Sequence, residues 1–249
     1  MTAVALTLVI VFAGGVYLCG WFQHGSIPKW RACSFLIGLL ATWIAVVSPI
    51  ASLDSHMLTA HMVQHLLLMT LAPPLIWMGE PLIAARLTRS PFPERVGRLL
   101  GDPAFCWLAA GTALVVWHVP AIFQLGMHSP AWHFIEHASF LTTGLLFWWP
   151  VIQPSPSVAR WPRWSLLLYL FLATLPCDVL SGLLVFSDRV VYPMYLSMPQ
   201  MGGLSPLEDQ ECAAALMWTC VTVVFLLAGT ILSMQLLSPR LRLEEAVPV

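Results

Sequence analysis

Apolar stretches of about 20 residues recur along this chain, near 2–21, 32–50, 56–78, 104–122, 131–152, 164–186 and 207–237, and that is the length an α-helix needs to cross the hydrocarbon layer of a bilayer. Between them lie Pro, Gly and charge: HGSIPKWR, GEPLIAARLTRSPFPERVGRLLGDP, QPSPSVARWPR and SDRVVYPMYLSMPQMGGLSP. Composition excludes a water-soluble globule. With 59% apolar and 9% charged residues and a mean hydropathy of +0.81, the apolar surface exceeds what one core can hide. The expected fold is an all-α integral membrane protein, a bundle of about seven transmembrane helices forming a single domain over residues 1–249.

The start, MTAVALTLVIVF, has no Lys or Arg before its apolar run, which continues to about Trp21, so the first segment is expected to remain as a span rather than be cleaved as a signal peptide. Lys29 and Arg31 lie in the first connection, Arg86, Arg89, Arg95 and Arg98 in the third, Arg160 and Arg163 in the fifth, and Arg240 and Arg242 in the tail. These are the connections that a seven-helix chain keeps on one side; Arg189 is the exception. The positive-inside bias then places the N-terminus outside and the C-terminus in the cytoplasm.

That topology converges scattered polar residues on one depth. The third apolar run starts at the outer face with Asp54, His56, His61 and His65; the fourth ends there with His118; the fifth starts there with His133 and His137. Asp178 falls in the outer half of the sixth, and Asp209 opens the seventh. His24 falls on the cytoplasmic side and reads as solvated. His61 and His65 are four apart, as are His133 and His137, so each pair projects from one helix face. Two such pairs suit a four-nitrogen or a dinuclear metal site, or a proton path, and Met57, Met62, Met69 and Met127 add thioethers that suit Cu(I). Ser129 and Pro130 read as the N-cap and first residue of the helix that carries His133, where the positive dipole end favours neutral imidazole.

Plainer readings stand beside each of these. His56 and His128 read as interfacial histidines bonded to backbone or water, whereas ionisable groups within a span, such as the paired histidines, are functional by default. Glu208 stands three residues after Ser205 in SPLE, a capping box with Pro206 at its first position, and is expected to close the helix end. Asp209, one residue on, remains a candidate ligand, and Asp178 a stronger one, because it sits in LPCDVLSG where Pro176 removes a backbone hydrogen bond. Glu136 points partly away from the His133 and His137 stripe and is expected to orient an imidazole rather than bind an ion.

Pro73 and Pro74 must bend or unwind the third run, and so re-aim its histidines. The 12 Trp residues, among them Trp77, Trp117, Trp132, Trp148 and Trp149, read mostly as interfacial anchors. Six cysteines without a CxxC spacing give no metal motif; Cys177 and Cys212 are accessory soft ligands, a disulfide or core filler. The segment Ala84 to Leu100 alternates Arg with apolar residues and is expected to rest on anionic lipid, with no nucleic acid implied.

HMVQHLLLMTLAPPLIWMGEP, WHVPAIF, HFIEHASFLTTGLLFWWP, DVLSGLL and LSPLEDQECAAALMW, in that order, resemble the multi-spanning CtaG family associated with assembly of caa3-type cytochrome c oxidase. The matching positions are His61, His65, His118, His133, Glu136, His137, Asp178, Glu208 and Asp209. The resemblance implies a multi-pass protein of the bacterial plasma membrane that acts on cytochrome c oxidase subunits, with copper handling as its chemistry. The expectation is therefore a non-enzymatic chaperone that binds copper through His61, His65, His118, His133, His137, Asp178 and Asp209, with Glu136, Glu208, Asp54 and Met62 in weaker roles. The rivals are a membrane zinc hydrolase, with three His around an open position, a bis-histidine haem carrier ligating through His65 and His137, and a docking scaffold with no ion.

Overall fold

The computed structural model describes residues 3–24, 27–81, 102–152, 161–199 and 203–238. Every regular element among these residues is helical. Arg86, Arg89, Arg95, Arg98, Arg160, Arg240 and Arg242, the segment Ala84 to Leu100 and the side chain of His24 lie outside the described residues.

Two apolar helices, α1 (Ala3–His24) and α2 (Lys29–Val46), lead through a 3-10 turn (Pro49–Leu53) into the third apolar run. That run is one helix interrupted in the middle: α3 (Leu58–Leu66), a π turn (Leu67–Leu71) and α4 (Ala72–Met78). The interruption follows from Pro73 and Pro74, which have no N–H to offer the carbonyls of Met69 and Thr70. Trp148 Nε1 takes the Met69 carbonyl instead, at 3.2 Å. The helix behind approaches closely because Gly144 has no side chain; a Cβ there would lie 2.9 Å from Met69 Cα.

Asp102 caps the next helix, α5 (Pro103–His118), its carboxylate accepting from the Ala104 and Phe105 amides at 3.0 and 3.1 Å. The run expected over 104–122 does not continue straight. It turns by 79° into a short helix, α6 (Pro120–His128). Pro120 explains the break, because a residue before proline is pushed out of the helical region, and Val119 lies at φ −64, ψ 123. The remaining helices are α7 (Pro130–Ile152), α8 (Ser165–Val185), which continues through Pro176, and, after a 3-10 turn (Pro193–Ser197), α9 (Pro206–Leu237).

Among the described residues four segments are long and apolar enough to cross a membrane, Ala3–Gln23, Lys29–Leu53, Ser165–Val185 and Pro206–Leu237, and α5 with α6 makes a fifth if the bent pair is one span. The outward faces of α1, α8 and α9 carry exposed Leu8, Phe12, Phe171, Val179, Leu227 and Ile231, the surface that lipid requires and water would penalise. The two other expected runs are also helical, but one is divided by the π turn and α7 carries His133, Glu136 and His137. The interrupted helix sits centrally: α2 packs on α4, α9 on α3, and α7 on α4 and the π turn, while α8 lies along α9. Trp117 and Trp148 are buried rather than interfacial, their indole N–H groups bonded to Ser139 Oγ at 2.8 Å and to the Met69 carbonyl.

Candidate metal centre

The start of α3 is held from across the chain. Asp209, in the first turn of α9, accepts from Leu58 N at 2.6 Å and Thr59 N at 3.2 Å, and from the Thr59 hydroxyl at 2.6 Å. Met57 precedes that helix without a side-chain cap, so Asp209 serves as its cap from a distance. This fixes the rotation of α3, and with it the direction of His61 and His65. Gln210 ties the end of α8 to the following connection by bonding the Leu184 and Arg189 carbonyls and the Val191 amide. Burial pushes the phenols of Tyr192 and Tyr195 up, so both stay neutral donors, to the carbonyls of His118 at 3.1 Å and Asp54 at 2.8 Å.

Inside this frame the histidines meet. The rings of His61 and His65 lie 4.2 Å apart, and those of His133 and His137 also 4.2 Å apart. The two pairs face each other across α3 and α7, with His61 stacked 5.8 Å from His133 and His65 6.1 Å from His137. Glu136 stands against the other pair, His61 and His65. It is fully buried between the pairs, with Oε1 3.4 Å from His61 Nε2 and 3.3 Å from His65 Nε2. Room for it comes from Gly126 in α6, where a Cβ would stand 2.9 Å from Glu136 Oε2. Asp54 is likewise more central than expected, buried with Oδ2 3.3 Å from His133 Nε2.

Among the described residues two groups of three have ligand atoms all within 4.8 Å of one another: Asp54, His61 and His133, and His61, His65 and Glu136. His118 stands beside them, its ring 5.8 Å from His65. Its Nδ1 bonds the Leu114 carbonyl at 2.7 Å, which makes Nδ1 the protonated nitrogen and leaves the Nε2 lone pair free. The donor set fits an ion, because buried polar atoms are ordinarily paired and several of these are not. Among the described residues Nδ1 of His61 and His65, Nε2 of His118 and His137 and Oε2 of Glu136 are buried without a partner, while Nε2 of His61, His65 and His133 meets only a carboxylate, Glu136 or Asp54, at 3.3–3.4 Å.

Other expected ligands are placed elsewhere. Asp178 is half-buried on α8 and belongs to neither group of three. Asp209 is occupied in holding α3, and Glu208 closes the capping box, accepting from Ser205 N at 2.7 Å. Met62 is buried in the apolar core with Cys177 and Met217, and it lines a cavity of about 50 Å³ with His65 and His118. His56 meets the Ser55 hydroxyl at 3.0 Å, and His128 bonds the Gln124 carbonyl at 2.7 Å. A larger cavity of about 460 Å³ between α1, α2 and α7 has apolar walls that include Leu6, Val9 and Ile10, with His133 and His137 in its lining.

Apolar outward faces around a buried histidine and carboxylate centre define a helical membrane protein built to hold polar groups away from water. Over residues 15–238 the chain matches the model of the cytochrome c oxidase caa3 assembly factor family (Caa3_CtaG), and it belongs to that family. It is also similar to uncharacterized proteins of Mycobacterium bovis and Mycobacterium tuberculosis, each 25% identical over 236 residues that cover 87% of this chain and 35% of the relative. The chain thus spans about a third of the length of the curated relatives it matches. No solved structure matches it.

Proposed function

We propose that this protein holds copper transiently at the centre formed by His61, His65, His133, Glu136 and Asp54, with His118 and His137 alongside, and passes it to a subunit of a haem-copper cytochrome c oxidase. The observation that carries this reading is the set of buried nitrogens and the carboxylate oxygen with no partner among the described residues. Each such group costs about 1–3 kcal/mol when left unsatisfied, and coordination would recover that cost at a single point. Family membership supplies the oxidase. A cavity lined by His133 and His137 adjoins the centre, which supports release of the ion on that side.

The setting proposed is a bacterial plasma membrane, crossed seven times, with the N-terminus outside. In support, the starts of α3, α7 and α9 and the ends of α5 and α8 gather around the centre, linked by Asp209, Tyr192, Tyr195 and Gln210. The opposite end carries Arg31 in an ion pair with Glu80, consistent with positive charge on the cytoplasmic side.

A second reading has one specific observation in its favour. His61, His65 and Glu136 form a two-His, one-Glu set of the kind that catalytic zinc uses, so a membrane zinc hydrolase remains the alternative. Haem is disfavoured by crowding, since His61, His118 and Phe140 stand around His65 with Phe140 4.2 Å away. Metal content and an absorption spectrum of the detergent-purified protein test all three. Copper that is lost in His61→Ala/His137→Ala supports the proposal. Zinc would favour the hydrolase and a Soret band the haem carrier, while no metal after copper loading would overturn the copper reading in favour of a docking scaffold.

A further inference from the structure

We infer that the centre is dinuclear, with the imidazole of His61 bridging two ions. This rests on the copper reading above and goes beyond it in stoichiometry, ligand assignment and magnetic behaviour.

The argument starts from the two groups of three, which share one residue. One ion would take His61, His65 and Glu136; the other Asp54, His61 and His133. A histidine ring has two distinct nitrogens on different edges, and a bridge needs both of them free. His61 meets that condition, because neither nitrogen is committed to the backbone: the residue is fully buried, Nδ1 has no partner among the described residues, and Nε2 faces only the Glu136 carboxylate, at 3.4 Å. His118, by contrast, has Nδ1 committed to the Leu114 carbonyl and could offer only Nε2. His61 is also central, with its ring 4.2 Å from His65 on one side and 5.8 Å from His133 on the other.

Charge points the same way. Glu136 and Asp54 are both buried, and among the described residues neither is paired with a Lys or Arg. Two carboxylates without a buried cation are costly, and each group of three contains one of them. One ion would neutralise one group and leave the other carboxylate facing imidazoles alone. When both ions are divalent, His61 binds the second by losing its remaining ring proton to solvent, so filling the pair releases one proton from this residue.

The test uses the full chain purified in detergent, loaded with excess cupric chloride and desalted, with copper counted by mass spectrometry and by integrated electron paramagnetic resonance. Wild type is expected to hold two copper ions per chain with a spin signal well below the copper content, because a shared imidazolate couples the two spins. Glu136→Gln and Asp54→Asn should each hold one ion with a full signal, and Glu136→Gln/Asp54→Asn none. A single ion in wild type, or a pair whose signal accounts for all the copper, would overturn the bridge while the copper reading survives. No copper in wild type would overturn both. The wild-type count and spin integral decide the matter even if a variant does not fold.

Discussion

The two halves of the interrupted helix are packed by opposite rules, α3 mostly buried and α4 buried only at Ala72 and Pro73. Around α4, among the described residues, polar side chains at the seam are partnered: Tyr17 donates to the Gly79 carbonyl at 2.8 Å, Ser34 to the Leu75 carbonyl at 2.8 Å, and Arg31 pairs with Glu80. Glycines close the gap there, since a Cβ at Gly38 would stand 2.8 Å from Ile76 Cγ1 and one at Gly79 2.6 Å from Phe35 Cβ. Around α3 the side chains are larger and more polar, and several buried atoms, Nδ1 of His61 and His65, Nε2 of His118 and His137 and Oε2 of Glu136, have no hydrogen-bond partner among the described residues. Polar groups that serve the fold are satisfied within it. A cluster left unsatisfied on the same helix marks the part of the molecule that the fold alone does not account for.

The strongest way to break that contrast is His61→Leu. Replacing the shared imidazole with an apolar side chain of similar size is expected to abolish copper binding, a fall of more than about 100-fold in affinity. It should leave the thermal midpoint of the metal-free protein unchanged or higher, because a buried nitrogen without a partner is removed. A lower midpoint without metal would mean that His61 serves the fold after all. Gly126→Ala sharpens the comparison from the other side. The added methyl would occupy the space of Glu136 Oε2, and displacing a carboxylate at the centre is expected to weaken copper binding by about 10–100-fold, read by competition titration, with little change in the midpoint.

Next in size is Gly38→Leu, on the α4 half. The backbone of α4 lies within 3.1 Å of the position a Cβ would take, so the two helices must separate, at a cost of about 1–3 kcal/mol. Thermal unfolding in detergent should show a lower midpoint while the refolded protein still binds copper.

How much of this could be read from the sequence depended on whether the signal was local. The spacing of His61 with His65 and of His133 with His137 implied same-face pairs, and Pro73 with Pro74 implied an interruption; both are local consequences of backbone geometry. The capping box at Ser205 and Glu208 was legible for the same reason. That Glu136 faces His61 and His65 was not legible, because α7 is apolar nearly all round and its sequence does not fix which side turns inward. That rotation is set by Gly126 and Gly144, glycines that matter only once a neighbouring helix is known. Asp209 looked like a ligand because its partners, Leu58 and Thr59, lie about 150 positions away. The 79° turn at Pro120 and the short helix beyond it were not read from an apolar run that continued past that proline.

The smallest expected effect separates the halves most cleanly. Tyr17→Phe removes one hydrogen bond, that to the Gly79 carbonyl, and keeps the ring that stacks on Phe35 at 3.9 Å. A neutral bond of this kind contributes about 0.5–1.5 kcal/mol, so the midpoint should fall slightly. Tyr17 belongs to the apolar cluster of Ile27, Ala32 and Phe35, and the π turn stands between that cluster and the histidines, so copper stoichiometry and affinity should not change. If affinity fell with Tyr17→Phe, the position of α4 would be transmitted through the π turn to His61 and His65. The interruption would then be a coupling element rather than a boundary, and the two halves would have to be treated as one device.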